Sequence, residues 1–424
     1  MSCPLPSVGA MSLDTSAAAA REQVWTGHAK GSAAYGRLIA ALFFAGVATF
    51  AQLYSPQAVL PLISADLGVG AAAAALTISA STVGLAIGVI PWSTVADRIG
   101  RVRAISWSVT TATVIGMLVP FAPTYEMLLA GRFLEGVLVG GVPAIAVAYL
   151  TEEIDRGHAA RAAGTFVAGT TVGGLLGRLV SSPVAEATTW RVGVFAVAAM
   201  CGLAALCFVR LAPEPRGFVP ANRRGANPEG GLVHRLVANL RSGRQLVLYA
   251  QAFLLMGGFV ALYNFLGFRL ARPPFGLAPS LVSLVFLAYL AGTWSSSRAG
   301  AEAVRFGRKR VLLASIAVMA IGVAITLSDN IIAVLVGLVV ATAGFFGAHS
   351  IAAGWTGQLA SVGKAQASSL YNLSYYTGSS VIGWLGGVAF DARGWIGVAG
   401  TIIALTALAA GLAAFALPAQ PRRA

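Results

Sequence analysis

Residues 96–105 read ADRIGRVRAI, and residues 303–312 read AVRFGRKRVL. Each stretch sets a glycine among basic residues between two long apolar runs. Glycine reaches backbone angles closed to other residues, so it lets a chain reverse within a few positions. Aligning Gly100 with Gly307 gives an offset of 207 residues. Two further pairs, Leu53-Tyr54-Ser55 with Leu262-Tyr263-Asn264 and Gly169 with Gly378, lie 209 apart. Three similar offsets indicate a duplicated unit.

The composition says what that unit is dissolved in. Of 424 residues, 57% are hydrophobic and 10% charged, and the mean hydropathy is +0.78. Soluble domains carry roughly 25% charged residues, and no soluble fold has interior enough for so many apolar side chains behind so few charges. A membrane helix needs about 20 apolar residues at 1.5 Å rise each, so about 240 of them make about twelve spans. Strands of a membrane barrel would alternate apolar and polar residues, whereas Leu38 to Val59 runs without a charge. The expected class is an all-α polytopic membrane protein, with spans near 38–60, 72–95, 104–121, 126–149, 162–185, 191–211, 245–268, 279–299, 310–328, 331–355, 366–389 and 396–416. Residues 1–36 form a polar tail, 37–212 a six-span unit, 213–244 a linker rich in Pro, Gly and Arg, 245–417 a second six-span unit and 418–424 a short tail. A short amphipathic helix is expected around Leu232 to Leu240 within the linker.

The net charge of +14 sorts by position. With the first span running outward, twenty-three of the 29 Lys and Arg residues fall in the tails, in the loops after even-numbered spans or at the span ends beside those loops. That bias is the positive-inside rule and places both termini in the cytoplasm. The basicity is therefore topological, and no nucleic-acid partner is expected. The three cysteines have no disulfide or metal spacing. Residues 1–36 lack the basic, apolar and cleavage regions of a signal peptide, and the first span serves as an uncleaved signal. The expected location is the inner (plasma) membrane.

The loop after span 2, read from Ser93 through Asp97, Arg98, Gly100, Arg101 and Arg103, resembles the G-x-x-x-D-R-x-G-R-R/K signature of the major facilitator superfamily. Within it the chain resembles the twelve-span bacterial branch of drug and sugar efflux proton antiporters, from about residue 38 to residue 417. Ser93 departs from the first Gly and Val102 from a base. The second copy keeps Arg305, Gly307 and Arg308 with Val304 in place of the acid. The resemblance implies two pseudo-symmetric six-helix bundles and a charged cluster that latches them in one conformation. Asp97 and Arg101 stand at helix ends where they can pair with each other and with helix termini, and Glu152 and Glu153 offer carboxylates to Arg98 or Arg101 from the end of span 4. The plainer reading is that the bases fix topology and Gly100 makes a turn.

Span 4 reads GRFLEGVLVGG, resembling the family's R-x-x-x-G with Arg132 and Gly136. An arginine inside a span costs ~2.5 to more than 10 kcal/mol, so it should face a cavity or a partner. Glu135, three residues on, can pair with it. Glu135 then reads as a proton-carrying carboxylate tuned by Arg132, or the two as a tie between helices that never turns over. Span 5 carries GTTVGGLLGR, resembling the antiporter signature G-P-x-x-G-G with Thr170 at the proline position. Gly169, Gly173 and Gly177 make one face flat for close helix approach. Arg178 follows, as a receiver of an anionic substrate or as a structural pair. In this family spans 1, 4, 7 and 10 line the central cavity, which marks Gln52, Tyr54, Tyr263, Asn264 and His349. Tyr375 is added from span 11, where packing is the plainer role for an aromatic.

These residues lead to a secondary active transporter working by alternating access. No nucleotide-binding G-x-x-x-x-G-K-S/T is present, so the expected drive is a proton gradient and no cofactor or metal is needed. The resemblance implies export of a small hydrophobic drug, sugar or metabolite by a monomer in the lipid bilayer, with no enzymatic activity. A proton-coupled importer shares the architecture; a membrane sensor or integral-membrane enzyme is the remoter alternative.

Overall fold

The structure, a computed structural model, describes residues 25–155, 157–218 and 231–419. Apart from one isolated bridge between His28 and Ile154, the regular structure among them is helical. The helices are α1 (Ala33–Tyr54), α2 (Leu60–Leu67), α3 (Ala71–Ile99), α4 (Arg101–Leu118), α5 (Tyr125–Val139), α6 (Gly141–Glu153), α7 (Ala159–Ala187), α8 (Trp190–Leu211), α9 (Leu232–Leu240), α10 (Gly243–Leu270), α11 (Pro279–Ser283), α12 (Tyr289–Phe306), α13 (Arg308–Ile325), α14 (Ile331–Leu359) and α15 (Lys364–Ala416). Polar side chains begin several of them by taking the orphan N–H groups of the first turn. Ser32 accepts from Tyr35 N, Thr124 from Met127 N, Thr189 from Val192 N and Asn330 from Ile332 N.

Ten helical runs among the described residues are long and apolar enough to cross a membrane. The sequence divides the same length into twelve, and two features account for the difference. α13 is 18 residues long and opens with Arg308, Lys309 and Arg310. α15 runs 53 residues through both of the last expected spans, with non-helical angles only at Gly394 (φ 60°, ψ −148°). The first expected span is not straight. Pro56 and Pro61 have no N–H to continue the ladder, and a 3-10 turn at Ser55–Val59 separates α1 from α2. The short helix expected around Leu232 to Leu240 is α9, with Leu232, Val233 and Leu240 exposed. The linker residues 219–230, the first 24 residues and the last five lie outside the described set.

Helices within 33–211 pack mainly on one another, as do those within 243–416. With no water to drive helices together in lipid, close approach of backbones supplies the contact energy. Gly169, Gly173 and Gly177 serve that purpose: a Cβ on any of them would fall within 3.0 Å of the carbonyl oxygens of Phe43, Val47 and Ala51 on α1. Gly136 meets Ser81 of α3 in the same way, and Gly378, the duplicate of Gly169, meets Phe253 of α10.

Candidate functional site

The break in α1 generates the first half of the site. A prolyl nitrogen at 56 leaves the Gln52 carbonyl without its usual partner, and the tighter turn shifts the bonds around it. Arg132 of α5 fills this gap: Nη1 donates to Gln52 O (3.3 Å), Nη2 to Leu53 O (2.7 Å) and Nε to Thr77 O of α3 (3.1 Å). Nη1 also donates to Glu135 Oε2 at 2.5 Å. Both residues are buried, at 1% and 3% exposure, so the guanidinium is neutralised inside the fold by the carboxylate expected from the sequence. Gln52 donates its amide to Ala112 O (2.6 Å). A Cβ on Gly116 would lie within 3.0 Å of the Gln52 amide and the Glu135 carboxylate together, which puts Gln52 at the second side of the acid.

The second half of the site is built around Arg178 of α7, 3% exposed. Nε donates to Gln57 Oε1 (2.7 Å) and Nη1 to Gly174 O (2.5 Å). Nη2 reaches the Tyr289 hydroxyl at 3.5 Å. The guanidinium lies 4.5, 4.7 and 5.0 Å from the ring centres of Tyr54, Phe286 and Tyr289. Cations bind such faces by the ring quadrupole. Among the described residues no carboxylate lies within ion-pair distance of Arg178. Gln57 donates in turn to Asn264 Oδ1 (2.6 Å), and the Asn264 amide nitrogen is buried without a partner.

The other expected cavity residues separate. Tyr263 donates or accepts with Thr342 Oγ1 (2.7 Å) and stacks on Phe286, which makes it part of the wall behind Tyr289. His349 Nδ1 is 3.0 Å from the Tyr371 hydroxyl, with Tyr375 at 5.0 Å between ring centres and Phe345 stacked at 5.7 Å. Gln57, Phe286 and Tyr289 are the contacts the sequence reading omits. Gln57 was legible as a polar residue beside a proline inside an apolar run; the aromatics of the eighth span carried no such signal.

The charged loop is assembled as expected at its centre and differs at its edges. Gly100 has φ 94°, ψ 158°, a region only glycine enters freely. Arg101 donates to Asp97 Oδ1 (2.8 Å) and to Glu152 Oε1 (2.8 Å), and Phe218 covers it at 5.3 Å. Arg98 is exposed and takes neither carboxylate among the described contacts. Glu153 faces the opposite way: fully buried, its Oε1 accepts from the backbone N–H of Arg216 (2.7 Å) and Gly217 (2.6 Å), and His28 Nε2 lies 3.9 Å from its Oε2. Burial and the nearby Arg216 hold the His28 imidazole below its usual pKa. The second copy has the same turn at Gly307 (φ 87°, ψ 144°). Arg305 and Arg308 find no carboxylate among the described residues, because Val304 stands in the acid's place. Lys309 instead donates to Ala414 O (2.6 Å) and Leu417 O (2.8 Å), capping the end of α15.

The two sets of helices meet at the end remote from these loops. Asp391 of α15 accepts from Ala71 N (3.1 Å) and Ala72 N (3.2 Å) at the start of α3, where a helix N-terminus favours an acid. Thr82 and Ser380 share a hydrogen bond of 2.6 Å, Ser182 donates to Pro279 O (2.6 Å) and Ser280 N to Glu186 Oε2 (2.8 Å). All described hydrogen bonds between residues 33–211 and 243–416 lie in this end or at the level of Arg178.

Comparison with known proteins gives the same architecture. The Major Facilitator Superfamily model matches residues 42–302. The chain is 38% identical to the inner membrane transport protein YnfM of Escherichia coli (strain K12) over 376 residues, covering 89% of each protein. It is 33% identical to the uncharacterized MFS-type transporter YybF of Bacillus subtilis (strain 168), covering 91% of this chain and 95% of that one. Among solved structures it resembles a bacterial homolog of the human lysosomal transporter Spinster, crystallised in an inward-facing and occupied conformation (TM-score 0.76, 16% identity, 91% and 96% of the two chains). It also resembles the nucleoside transporter NupG (TM-score 0.70, 15% identity, 88% and 99%). The chain belongs to the Major Facilitator Superfamily and is a membrane-embedded transporter.

Proposed function

We propose that the protein is a monomeric, proton-coupled secondary transporter of the inner membrane that exports a small metabolite or drug-like solute bearing an anionic group. In this reading Gly394 divides α15 into two spans and α13, with its charged start, is one more, so the ten apolar runs become twelve spans, six on either side of the 213–244 linker. Both termini are cytoplasmic in this reading, which the placement of the bases supports. The contacts at Asp391, Ser380 and Pro279 then close the outer side, and the site opens inward, ready to load a solute for export.

The observation that carries the substrate class is Arg178: a buried cation, held by an amide and three aromatic rings, with no carboxylate among the described residues to neutralise it. A buried charge is costly unless paired, and a solute carboxylate or phosphate supplies the missing partner. Coupling runs through α1. Glu135 neutralises Arg132, and Arg132 holds the Gln52 and Leu53 carbonyls at the break; Tyr54 and Gln57, one and four residues on, contact Arg178. Protonating Glu135 releases its claim on Arg132, loosens the break and shifts the groups around the solute, which is the two-state element that both sites bias.

The test is ligand-induced thermal stabilisation of the purified protein, followed by flux in proteoliposomes with an imposed pH gradient. Carboxylate solutes should stabilise the wild type and not Arg178→Gln. Neutral methyl esters that stabilise equally well would overturn the anionic assignment, and accumulation against the expected direction in inverted vesicles would reverse export to import.

A further inference from the structure

A hollow of about 500 Å³ opens on the outside of the second half, between α12, α13 and α14. Its walls are Ala299, Ala314, Val318, Ala343, Gly344 and Gly347, and none of its lining comes from residues 33–211. It is therefore separate from Arg178 and Glu135. Its size falls among those of ligand pockets, roughly 300–1,000 Å³.

The duplication explains why the hollow exists. In the first half Gly141 packs on Ser108 and Trp92, with the indole within 2.8 Å of where a Cβ would stand. Trp92 anchors itself by donating to Val137 O (3.0 Å). At the offset of 207 residues Trp92 becomes Ala299 and Ser108 becomes Ser315. A Cβ on Gly347 would still lie tight against Ser315, 2.9 Å from its Oγ, but on the other side it would meet only the Ala299 Cβ, at an ordinary 3.6 Å. The indole that plugs one half is missing from the other.

The rim has changed as well. Pro91 and Val95 of the first half correspond to Arg298 and Glu302. Arg298 stands nine residues before the Gly307 turn, about 13 Å along the helix axis. It is 64% exposed on the surface that faces out of the bundle, and Glu302 lies 3.8 Å away. Arg310 also lines the hollow and is exposed near the turn, with no carboxylate in ion-pair reach among the described residues. Two guanidiniums against one carboxylate leave the rim net positive. Trp294, 65% exposed, stands at the rim beside Arg298, 5.9 Å between ring centre and guanidinium.

We infer that this groove binds an anionic phospholipid, with one acyl chain in the hollow and the phosphate on Arg298 and Arg310. An apolar slot floored by alanine and glycine suits a hydrocarbon chain, and long arginine side chains carry their charge toward the interface along their apolar stems. The excess positive charge selects an anionic headgroup over a zwitterionic one, each arginine near an anionic surface adding attraction.

Native mass spectrometry of the full chain in detergent tests this, titrated with dioleoyl-phosphatidylglycerol and separately with dioleoyl-phosphatidylcholine. Wild type should retain one phosphatidylglycerol with an affinity about tenfold above phosphatidylcholine, and R298Q/R310Q should erase that preference. Ala299→Trp, which restores the plug of the first half, should abolish retention of both lipids at this site. Val318→Trp closes the mouth from a half-exposed position and should do the same should the A299W protein fail to fold. Equal retention of the two lipids by wild type, or undiminished retention by V318W and R298Q/R310Q, would overturn the assignment. Displacement of the bound lipid by glycerol phosphate alone would show that the arginines bind a free phosphate and that the hollow takes no chain.

Discussion

Removing Arg132 should damage the protein more than removing Arg132 and its carboxylate together. The guanidinium supplies four hydrogen bonds, to Glu135, Gln52, Leu53 and Thr77. In Arg132→Met the acid is left buried with no cation, a change that costs about 3–5 kcal/mol in other proteins. The carbonyls of Leu53 and Thr77 lose a donor as well, about 1–3 kcal/mol for Leu53, while Gln52 O keeps the Ser55 hydroxyl at 3.1 Å and Thr77 O the Ser81 hydroxyl at 3.4 Å. In Arg132→Met/Glu135→Leu the carbonyl losses remain and the lone charge is gone. The double variant should therefore be about 3 kcal/mol more stable than the single one, a positive coupling in a double-mutant cycle. Equilibrium unfolding in mixed micelles reads the four members of the cycle. A double variant no more stable than Arg132→Met would refute the claim that Glu135 is charged and paired in the resting fold. The transport arm is separate: Glu135→Gln should abolish uptake driven by a pH gradient in proteoliposomes, and full gradient-driven transport by that variant would remove Glu135 from the coupling scheme.

Three further outcomes are expected. Gly173→Val or Gly177→Val must push α7 away from the α1 backbone, and a loss of about 1–3 kcal/mol or of folded yield should follow, whereas Gly164→Ala, which meets open space, should leave both unchanged. Arg101→Gln breaks contacts with two carboxylates and should slow transport about tenfold, while Arg308→Gln, with no acid in reach among the described residues, should change it little; equal effects in flux assays would show that both loops serve topology alone. Because the His28 pKa is lowered in the fold, the unfolded segment takes up a proton first as pH falls below 6.5. The docking of residues 25–30 is thus complete above that pH and weakens below it; Trp25 fluorescence should report the release, and His28→Gln should flatten its pH dependence.

The sequence made the helices and the pairings of charge legible wherever a residue was expensive in its setting. Arg132 needed Glu135, three residues on, and Gly100 needed a reversal between two apolar runs, so both could be placed from the sequence. Arg178 was equally visible, but its partners were not: Phe286 and Tyr289 are ordinary aromatics in an apolar helix, and only the fold brings them to the guanidinium. Glu153 misled because chemistry gives two adjacent acids the same options. Which one faces Arg101 depends on helix rotation, and α6 turns Glu152 toward the loop and Glu153 inward. The bend at Ser55–Val59 was encoded by Pro56 and Pro61 but hidden by the unbroken apolar run around them. In an all-apolar helix the facing of each residue leaves little periodic trace.

The clasp at Glu153 bears on how the linker can evolve. Its carboxylate grips main-chain N–H groups of residues 216 and 217, which every residue but proline supplies. At 216 any residue but proline keeps the hydrogen bond, and loss of the arginine removes only its charge attraction. At 217 glycine alone fits, since a Cβ there would strike the Glu152 carbonyl and the Trp25 ring. Insertions or deletions between Leu211 and Gly217 carry a different penalty, because they change which amides arrive at the carboxylate. Relatives should therefore vary in the letters of this stretch while keeping its length, and hybrid proteins that exchange the two halves should be joined beyond residue 218.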